Sequence, residues 1–254
     1  MSQIAGEHLA VVVMAAGKGK RMGNPELAKV LTLLDGKPLL AYVLEQAQQL
    51  HPLQIIVIVG HQHEVVRGFL STSYPETTCV LQADQLGTGH AVLQAQNVIN
   101  QAATNVLILS GDVPLLSAST LRSLIEHHER SNATLTVLST TLENPFGYGR
   151  VVRAADSTLE SIVEQKDATD EQVRIDEINA GIYVVRTSDL FEALKHVQNA
   201  NAQTEYYLTD IVAILKAEGA HVEAFHCSRS EEVHGINTVT DLERASQLRA
   251  MASI

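Results

Sequence analysis

Apolar residues in the first half of the chain form short runs that alternate with segments of helical periodicity. The runs predict strands at Leu9–Met14, Gln54–Val59, Cys79–Leu81 and Asn105–Leu109. The segments between them predict helices at Leu39–Leu50, Glu64–Leu70, Gly89–Asn100 and Ser119–Arg130. Strands that are apolar at nearly every position are buried on both faces, and a parallel sheet covered by helices on both sides requires such strands. The pattern therefore predicts an α/β fold with a mainly parallel sheet.

The pattern changes after Asn132, where predicted strands follow one another with few helices between them. These strands are Thr134–Ser139, Arg150–Arg153, Leu159–Val163 and Ile175–Val185, with a turn broken by glycines at 144–150 among them. They predict an antiparallel addition to the sheet, of the kind that often covers a substrate. The remaining prediction consists of helices at Asp189–Val197 and Tyr206–Ala217, a strand at His221–Phe225, and a final amphipathic helix from about Thr240.

Composition and charge narrow the classes of function. The 254 residues include 18 Lys and Arg against 29 Asp and Glu, a net charge of −11 that argues against nucleic-acid binding. No apolar run approaches the ~20 residues that cross a bilayer, and the N-terminus lacks the basic flank of a secretory signal. The two cysteines suit a reducing compartment. We expect a cytoplasmic protein with no nucleic-acid or membrane partner, and the sequence leaves its oligomeric state open.

The first predicted strand runs into a glycine-rich, basic loop at 15–23, and Lys29 lies beyond it. Glycines let backbone N–H groups approach phosphate oxygens, and cations neutralise phosphate charge. The loop lacks the Gly-Lys-Ser/Thr of ATPases and misses the dinucleotide pattern G-x-G-x-x-G, because Gly23 lies four residues after Gly19. It therefore indicates a site for a highly charged phosphate ligand, and a solvated surface turn is the alternative.

Polar residues follow two other predicted strands. Gln82 offers both a donor and an acceptor, which can pair with a base such as uracil. Thr88 opens the next helix, where it either caps the helix or faces a ligand. Asp112 follows a very apolar strand, at the edge where ligands gather in open α/β sheets. Magnesium prefers one or two protein oxygens, and Asn237 can add a second, although Asp112 can also serve as a turn residue.

The predicted antiparallel region carries a second polar group. Glu164 and Asn179 lie on or beside strands, and Gly149 lies in the loop before them. Carboxylate and amide groups suit sugar hydroxyls, and a glycine permits direct backbone contact. A solvated strand-edge residue is the alternative for Glu164.

Eight ordered motifs over nearly the whole chain resemble the sugar-nucleotide pyrophosphorylases, and within them the uridylyltransferase half of bacterial bifunctional N-acetylglucosamine-1-phosphate uridylyltransferases. The motifs are the loop at 15–23, Val80–Ala91, Ser110–Leu115, Gly147–Arg150, Ile162–Ala168, Glu177–Gly181, Glu205–Asp210 and Gly235–Asn237. The resemblance implies the nucleotide-diphospho-sugar transferase fold, Rossmann-like and mixed, with helices on both faces and an antiparallel sugar-binding insertion. It implies one domain over 1–254, divided into a nucleotide-binding part at 1–132, a sugar-binding part at 133–237 and a C-terminal helix at 238–254.

The resemblance also implies a reaction: Mg²⁺-assisted, in-line attack of N-acetylglucosamine 1-phosphate on UTP, giving UDP-N-acetylglucosamine and pyrophosphate. The implied nucleotide-binding residues are Ala15, Ala16, Gly17, Lys29, Gln82, Gly87 and Thr88, and the implied sugar-binding residues are Gly149, Glu164, Asn179 and Asn237. The implied catalytic residues are Arg21, Lys29 and Asp112, and the implied metal ligands are Asp112 and Asn237.

Two departures from the family pattern bear on these roles. Alanine stands at position 28, where relatives usually have proline before the lysine, and at position 180, where they often have a hydroxyl residue. The bifunctional relatives continue into hexapeptide repeats that carry an acetyltransferase; the sequence ends at Ile254 without them, so we expect no acetyltransferase activity.

Three alternatives remain open. The same chemistry can act on another sugar 1-phosphate or on dTTP. An NAD-dependent oxidoreductase would use Asp35 as the acidic residue after the glycine loop. A catalytically inert sugar-nucleotide sensor would have less reason to combine metal ligands with cations.

Overall fold

The computed structural model describes residues 6–17, 19 and 28–252, and within them a nine-stranded mixed sheet forms the centre of the fold. The strands are β1 (Leu9–Ala15), β2 (Leu33–Leu34), β3 (Lys37–Pro38), β4 (Gln54–Val59), β5 (Thr78–Leu81), β6 (Asn105–Ser110), β7 (Leu135–Thr141), β8 (Arg150–Arg153), β9 (Leu159–Val163), β10 (Glu177–Arg186) and β11 (Val222–His226). The helices are α1 (Leu39–Gln48), α2 (His63–Ser73), α3 (Thr88–Leu93), α4 (Ala118–Ser131), α5 (Thr187–His196), α6 (Asp210–Ala217) and α7 (Val239–Ala252). Strands β2 and β3 form a separate hairpin.

The order along the sheet is β11-β7-β10-β6-β1-β4-β5. Strands β6, β1, β4 and β5 are parallel, whereas β10 is antiparallel to both β6 and β7. Strands β8 and β9 form an antiparallel pair that joins β10 through Arg150 and Ile178. The prediction of a mainly parallel sheet with an antiparallel addition in the second half is confirmed.

Helices cover both faces of the sheet, as the uninterrupted apolar strands require. Val11 and Val13 of β1 pack into a cluster with α1, α2 and α4, whereas Val12 packs with α3, α5 and α6 on the opposite face. A third cluster joins α7, through Ala245, to Tyr42 of α1. No helix within residues 6–17, 19 and 28–252 is both long enough and apolar enough to cross a membrane.

Helices α3 and α6 differ most from their predicted bounds, for two different reasons. Helix α3 ends at Leu93 rather than Asn100, because the next backbone N–H groups bond three residues back in tight turns. Helix α6 begins at Asp210 rather than Tyr206. The Tyr206 backbone instead pairs with the first turn of α3 and the residues before it. Its N–H donates to Leu86 O at 2.8 Å, and its O accepts from Gly89 N–H at 2.8 Å.

The topology indicates that a ligand binds at the edge formed by the carboxyl ends of the parallel strands. The chain runs from β1 outward to β4 and β5 and then returns to place β6 on the other side of β1. In open α/β sheets, such a reversal opens a crevice outside the carboxyl ends of the strands. The residues that follow β1, β5 and β6 at this edge are Gly17, Gln82 and Asp112.

Candidate functional site

Two adjoining cavities of about 840 Å³ and 330 Å³ lie at the carboxyl edge of the parallel strands. The larger is lined by residues that follow β1 and β5, and the smaller by residues of the antiparallel part. Thr88, Asp112 and Glu164 line both cavities. The two predicted groups of polar residues therefore face one continuous cleft.

The larger cavity is lined by Lys29 and by the described residues of the glycine-rich loop, Ala15, Ala16, Gly17 and Gly19. Gly19 has a φ of +57°, and a Cβ added there would lie 2.6 Å from Lys29 Cβ. A side chain at this position would displace Lys29, so the glycine is required for close packing. Lys18 and residues 20–27, including the predicted catalytic Arg21, lie outside the described residues.

The ammonium group of Lys29 lies between the two predicted metal ligands. Its Nζ forms an ion pair with Asp112 Oδ2 and donates a hydrogen bond of 2.8 Å to Asn237 Oδ1. Asp112 and Asn237 are thus positioned to hold a cation in common, and the Lys29 ammonium is that cation in this structure. One carboxylate and one amide oxygen match the small number of protein ligands that Mg²⁺ takes alongside phosphate oxygens and water.

Helix α7 and its cap hold Asn237 beside Asp112, although 125 residues separate them. Asp241 Oδ2 accepts from the N–H groups of Asn237 and Thr238 at 2.9 and 2.8 Å, and Thr238 Oγ1 accepts from Asp241 N–H at 3.1 Å. This reciprocal arrangement caps the start of α7. The Ile236 N–H then donates to Asp112 O at 2.9 Å, which ties the two metal-ligand segments together.

Gln82, Gly87 and Thr88 also line the larger cavity. Gly87 has a φ of +120°, and a Cβ added there would lie 2.5 Å from Tyr206 O, so only glycine fits. Thr88 Oγ1 accepts from Leu208 N–H at 2.9 Å and does not cap α3, so the capping alternative is wrong. Thr88 lines both cavities, and its contact with a ligand stays a prediction.

Gly149, Glu164 and Asn179 meet in the smaller cavity. A Cβ added at Gly149 would lie 3.6 Å from Glu164 Oε1 and 3.7 Å from Asn179 Cβ. The amide of Asn179 is held by its own strand: Oδ1 accepts from Gly181 N–H at 2.9 Å, and Nδ2 donates to the buried Tyr183 hydroxyl at 2.7 Å. The alternative of a solvated strand-edge Glu164 is wrong, because this carboxylate faces the cleft and accepts from Thr209 Oγ1 at 3.3 Å.

Carboxylates are concentrated at this end of the cleft. Burial raises the pKa of Glu164, and the charges of Asp167 and Asp210 raise it further, whereas the Thr209 hydrogen bond opposes the shift. Burial, followed by the charge of Asp167, raises the pKa of Asp210 to about 6. This cluster of carboxylates is unfavourable for a further anion. Its oxygens can accept hydrogen bonds from hydroxyl groups, so it is favourable for a neutral sugar ring.

The larger cavity is also lined by residues that the sequence did not mark as site residues, among them Ser110, Phe146 and Lys166. Ser110 ends β6 at the ligand-binding edge. Lys166 lies in the turn after β9, which is closed by a hydrogen bond of 3.0 Å from Asp167 N–H to Glu164 O. The position of Ser110 was therefore available from the pattern, whereas nothing in the sequence indicated that Phe146 or Lys166 faces the cleft.

The fold and the cleft define an α/β protein with a ligand-binding crevice at the carboxyl ends of its parallel strands, and comparison with known proteins specifies the family. The family model described as the MobA-like NTP transferase domain matches residues 11–208. The chain belongs to this family of nucleotidyltransferases, which generally use a divalent metal.

Curated relatives extend the similarity. The chain is 42% identical over 242 residues to the bifunctional protein GlmU of Enterococcus faecalis, covering 95% of this chain and 52% of the relative. It is 45% identical over 238 residues to the bifunctional protein GlmU of Exiguobacterium sibiricum, covering 94% of this chain and 52% of that relative. The chain thus spans about half the length of these relatives.

A solved structure of UDP-glucose pyrophosphorylase complexed with UDP-glucose superposes with a TM-score of 0.78, covering 96% of this chain and 98% of that one. Its sequence is 17% identical, so it shows the fold alone. The predicted nucleotide-diphospho-sugar transferase fold is confirmed.

Proposed function

We propose that this protein forms UDP-N-acetylglucosamine and pyrophosphate from UTP and N-acetylglucosamine 1-phosphate. One observation carries the proposal. The cation position between Asp112 and Asn237 lies where the nucleotide-side and sugar-side cavities adjoin, and the reacting phosphates must meet at such a point. The GlmU relatives, which match 93–95% of the chain, support the choice of substrates.

The reaction is a direct displacement at the α-phosphorus. An oxygen of the sugar phosphate forms a bond to this phosphorus, while the bond from the phosphorus to the bridging oxygen of the β-phosphate breaks. The departing oxygen keeps the electron pair of that bond, and pyrophosphate leaves. Because the attacking phosphate is already ionised, the protein needs no covalent nucleophile and no general base. Its residues must instead align the two substrates and offset their charge.

Asp112 and Asn237 would hold Mg²⁺, which when bound offsets the negative charge of the two reacting phosphates. Lys29, and Arg21 outside the described residues, offset the charge that grows on the departing pyrophosphate. Ala15, Ala16 and Gly17 present backbone to the triphosphate.

The base and the sugar occupy opposite ends of the cleft in this proposal. Gln82, Gly87 and Thr88 bind the uridine, and Gly149, Glu164, Asn179 and Asn237 bind the sugar and its phosphate. Residues 1–132 then form the nucleotide part of one domain, 133–237 the sugar part, and 238–254 the helix that secures Asn237. Since UTP is a cytosolic metabolite, we place the enzyme in the cytoplasm.

Pyrophosphate release tests the proposal. The chain should release pyrophosphate with UTP, N-acetylglucosamine 1-phosphate and Mg²⁺, and should do so more slowly with glucose 1-phosphate, glucosamine 1-phosphate or dTTP. Asp112→Asn should lower kcat about 10²–10³-fold, because it removes the charge that holds the metal. Asp189→Asn at the start of α5, near the opposite edge of the sheet, is the matched control and should keep full activity.

Two results would change the proposal. A preference for another sugar phosphate would keep the chemistry and transfer the specificity to the surroundings of Ala180. Absence of release with every pair would overturn it.

A further inference from the structure

The side-chain amide of Gln82 is fixed by two groups of the segment that follows it. Its Nε2 donates to Gly87 O at 3.1 Å and lies 3.0 Å from His90 Nδ1. Because a carbonyl oxygen can only accept, the Gly87 contact identifies this end of the amide as the nitrogen. Gln82 is 2% exposed, so its amide has few alternative partners. Within the described residues, its Oε1 accepts no hydrogen bond.

The same contact assigns a hydrogen-bonding role to each ring nitrogen of His90. The second N–H of Gln82 needs an acceptor, and His90 Nδ1 lies within hydrogen-bonding distance. A neutral imidazole has one acceptor and one donor nitrogen, so the Gln82 contact assigns the acceptor role to Nδ1 and the donor role to Nε2. The half-buried Gln94 amide donates through Nε2 to His90 O at 3.0 Å, and the same nitrogen lies 3.2 Å from His90 Nε2. His90 itself is not among the described residues that line either cavity.

We infer that His90 is a positioning residue that holds Gln82 Oε1 available to the base, and that it thereby selects a pyrimidine with an N3–H group over cytosine. This inference rests on the proposed uridine-binding role of Gln82. Uracil presents a donor at N3, which matches Oε1, whereas cytosine presents an acceptor there, which Oε1 repels. With both N–H groups of Gln82 engaged, the amide cannot turn to offer cytosine a donor.

Loss of the Nδ1 acceptor releases one of the two restraints on the amide. The remaining bond to Gly87 O still favours the original orientation, so selectivity should fall without disappearing. Thymine has the same N3–H group as uracil, so discrimination between UTP and dTTP should not depend on His90. This difference separates a positioning role from general damage to the pocket.

The test compares UTP and CTP with His90→Leu, which has no acceptor, and His90→Asn, whose Oδ1 can replace Nδ1. Nucleotide dissociation constants from titration calorimetry and kcat/KM from pyrophosphate release give two independent readouts. In His90→Leu, the UTP:CTP preference should fall about tenfold, the effect of one hydrogen bond of ordinary strength. The UTP:dTTP ratio and the KM for the sugar phosphate should stay unchanged. His90→Asn should restore most of the UTP:CTP preference.

Gln94→Leu is the matched control, because it removes the contact to the other ring nitrogen and should leave the UTP:CTP ratio unchanged. Thermal unfolding checks that each variant is folded. If wild type prefers UTP and both His90 variants retain that preference, the inference alone is overturned. If wild type binds neither UTP nor CTP, the proposed function fails and the inference fails with it.

Discussion

Among single residues, Lys29 has two proposed partners: the pair of metal ligands and the phosphates of the substrate. The ion pair with Asp112 and the hydrogen bond to Asn237 place its ammonium where the proposed Mg²⁺ would bind. Two cations cannot share these oxygens at contact distance, because their repulsion in a partly buried site is large. Metal binding should therefore displace the ammonium, which is then available for the phosphates.

A substitution at Lys29 should separate these two effects. Lys29→Met keeps the length of the side chain, and we expect it to tighten Mn²⁺ binding in the absence of nucleotide because the competing cation is gone. The same variant should lower kcat about 10²–10³-fold, because one charge that offsets the leaving group is lost. Mn²⁺ binding measured by electron paramagnetic resonance and pyrophosphate release give the two readouts. Lys195→Met, on the exposed surface of α5, should change neither.

Weaker Mn²⁺ binding by Lys29→Met would contradict the competition. It would show instead that Lys29 organises Asp112 and Asn237, whose side chains both lie in contact with it. Unchanged kcat would contradict its role at the leaving group.

At the scale of elements, α6 begins with a carboxylate whose protonation is linked to stability. Burial and the nearby Asp167 raise the pKa of Asp210 from 3.8 to about 6. A raised carboxyl pKa means that the folded state binds the proton more tightly than the unfolded state. The resulting stability is fully present below pH 3.8 and is lost as the pH rises through about 6.

Asp210→Asn should therefore be more stable than wild type at pH 8, by about 1 kcal/mol after allowance for partial solvent screening. The gain should vanish near pH 4, where wild type is protonated as well. Chemical denaturation at a series of pH values measures the difference. Asp189→Asn removes a carboxylate from the first turn of α5 and corrects for the lost interaction with the helix dipole. A gain that is constant with pH would contradict the linkage.

The elements also show what the sequence pattern could and could not predict. Strands β4, β8 and β9 were predicted at both ends, because burial or alternation leaves little freedom in where such strands begin and end. The start of α6 was not, because Tyr206 and Leu208 have helical spacing but their N–H groups bond to the distant segment at Leu86 and Thr88. Local periodicity carries no information about such pairing.

The same division applies to the site. The pattern placed Gln82 and Asp112 at the ligand-binding edge, because both follow parallel strands. It could not show that Lys29 reaches Asp112, or that His90 fixes Gln82. These contacts depend on side-chain orientations that only packing determines.

At the scale of the whole molecule, the cleft is built by both halves of the chain. Asp112 follows β6 of the parallel part, whereas Glu164 and Asn179 belong to the antiparallel part, and Asn237 depends on α7. A ligand that fills both cavities must therefore stabilise both halves at once, whereas a ligand that fills one acts on fewer of these contacts.

UDP-N-acetylglucosamine with Mg²⁺ should accordingly raise the melting temperature more than UDP or N-acetylglucosamine 1-phosphate at the same concentration. A ligand at 100 times its Kd adds about 2.7 kcal/mol to the free energy of unfolding. In a chain of this size that corresponds to a shift of about 5–10 °C. Differential scanning fluorimetry with each ligand, with and without Mg²⁺, measures the shift. Asp112→Asn should lose the Mg²⁺-dependent part of the shift, because it lacks the metal-binding charge.

A shift with NADH and none with the nucleotide sugar would contradict the proposed function and favour an oxidoreductase, since the cleft would then recognise a dinucleotide.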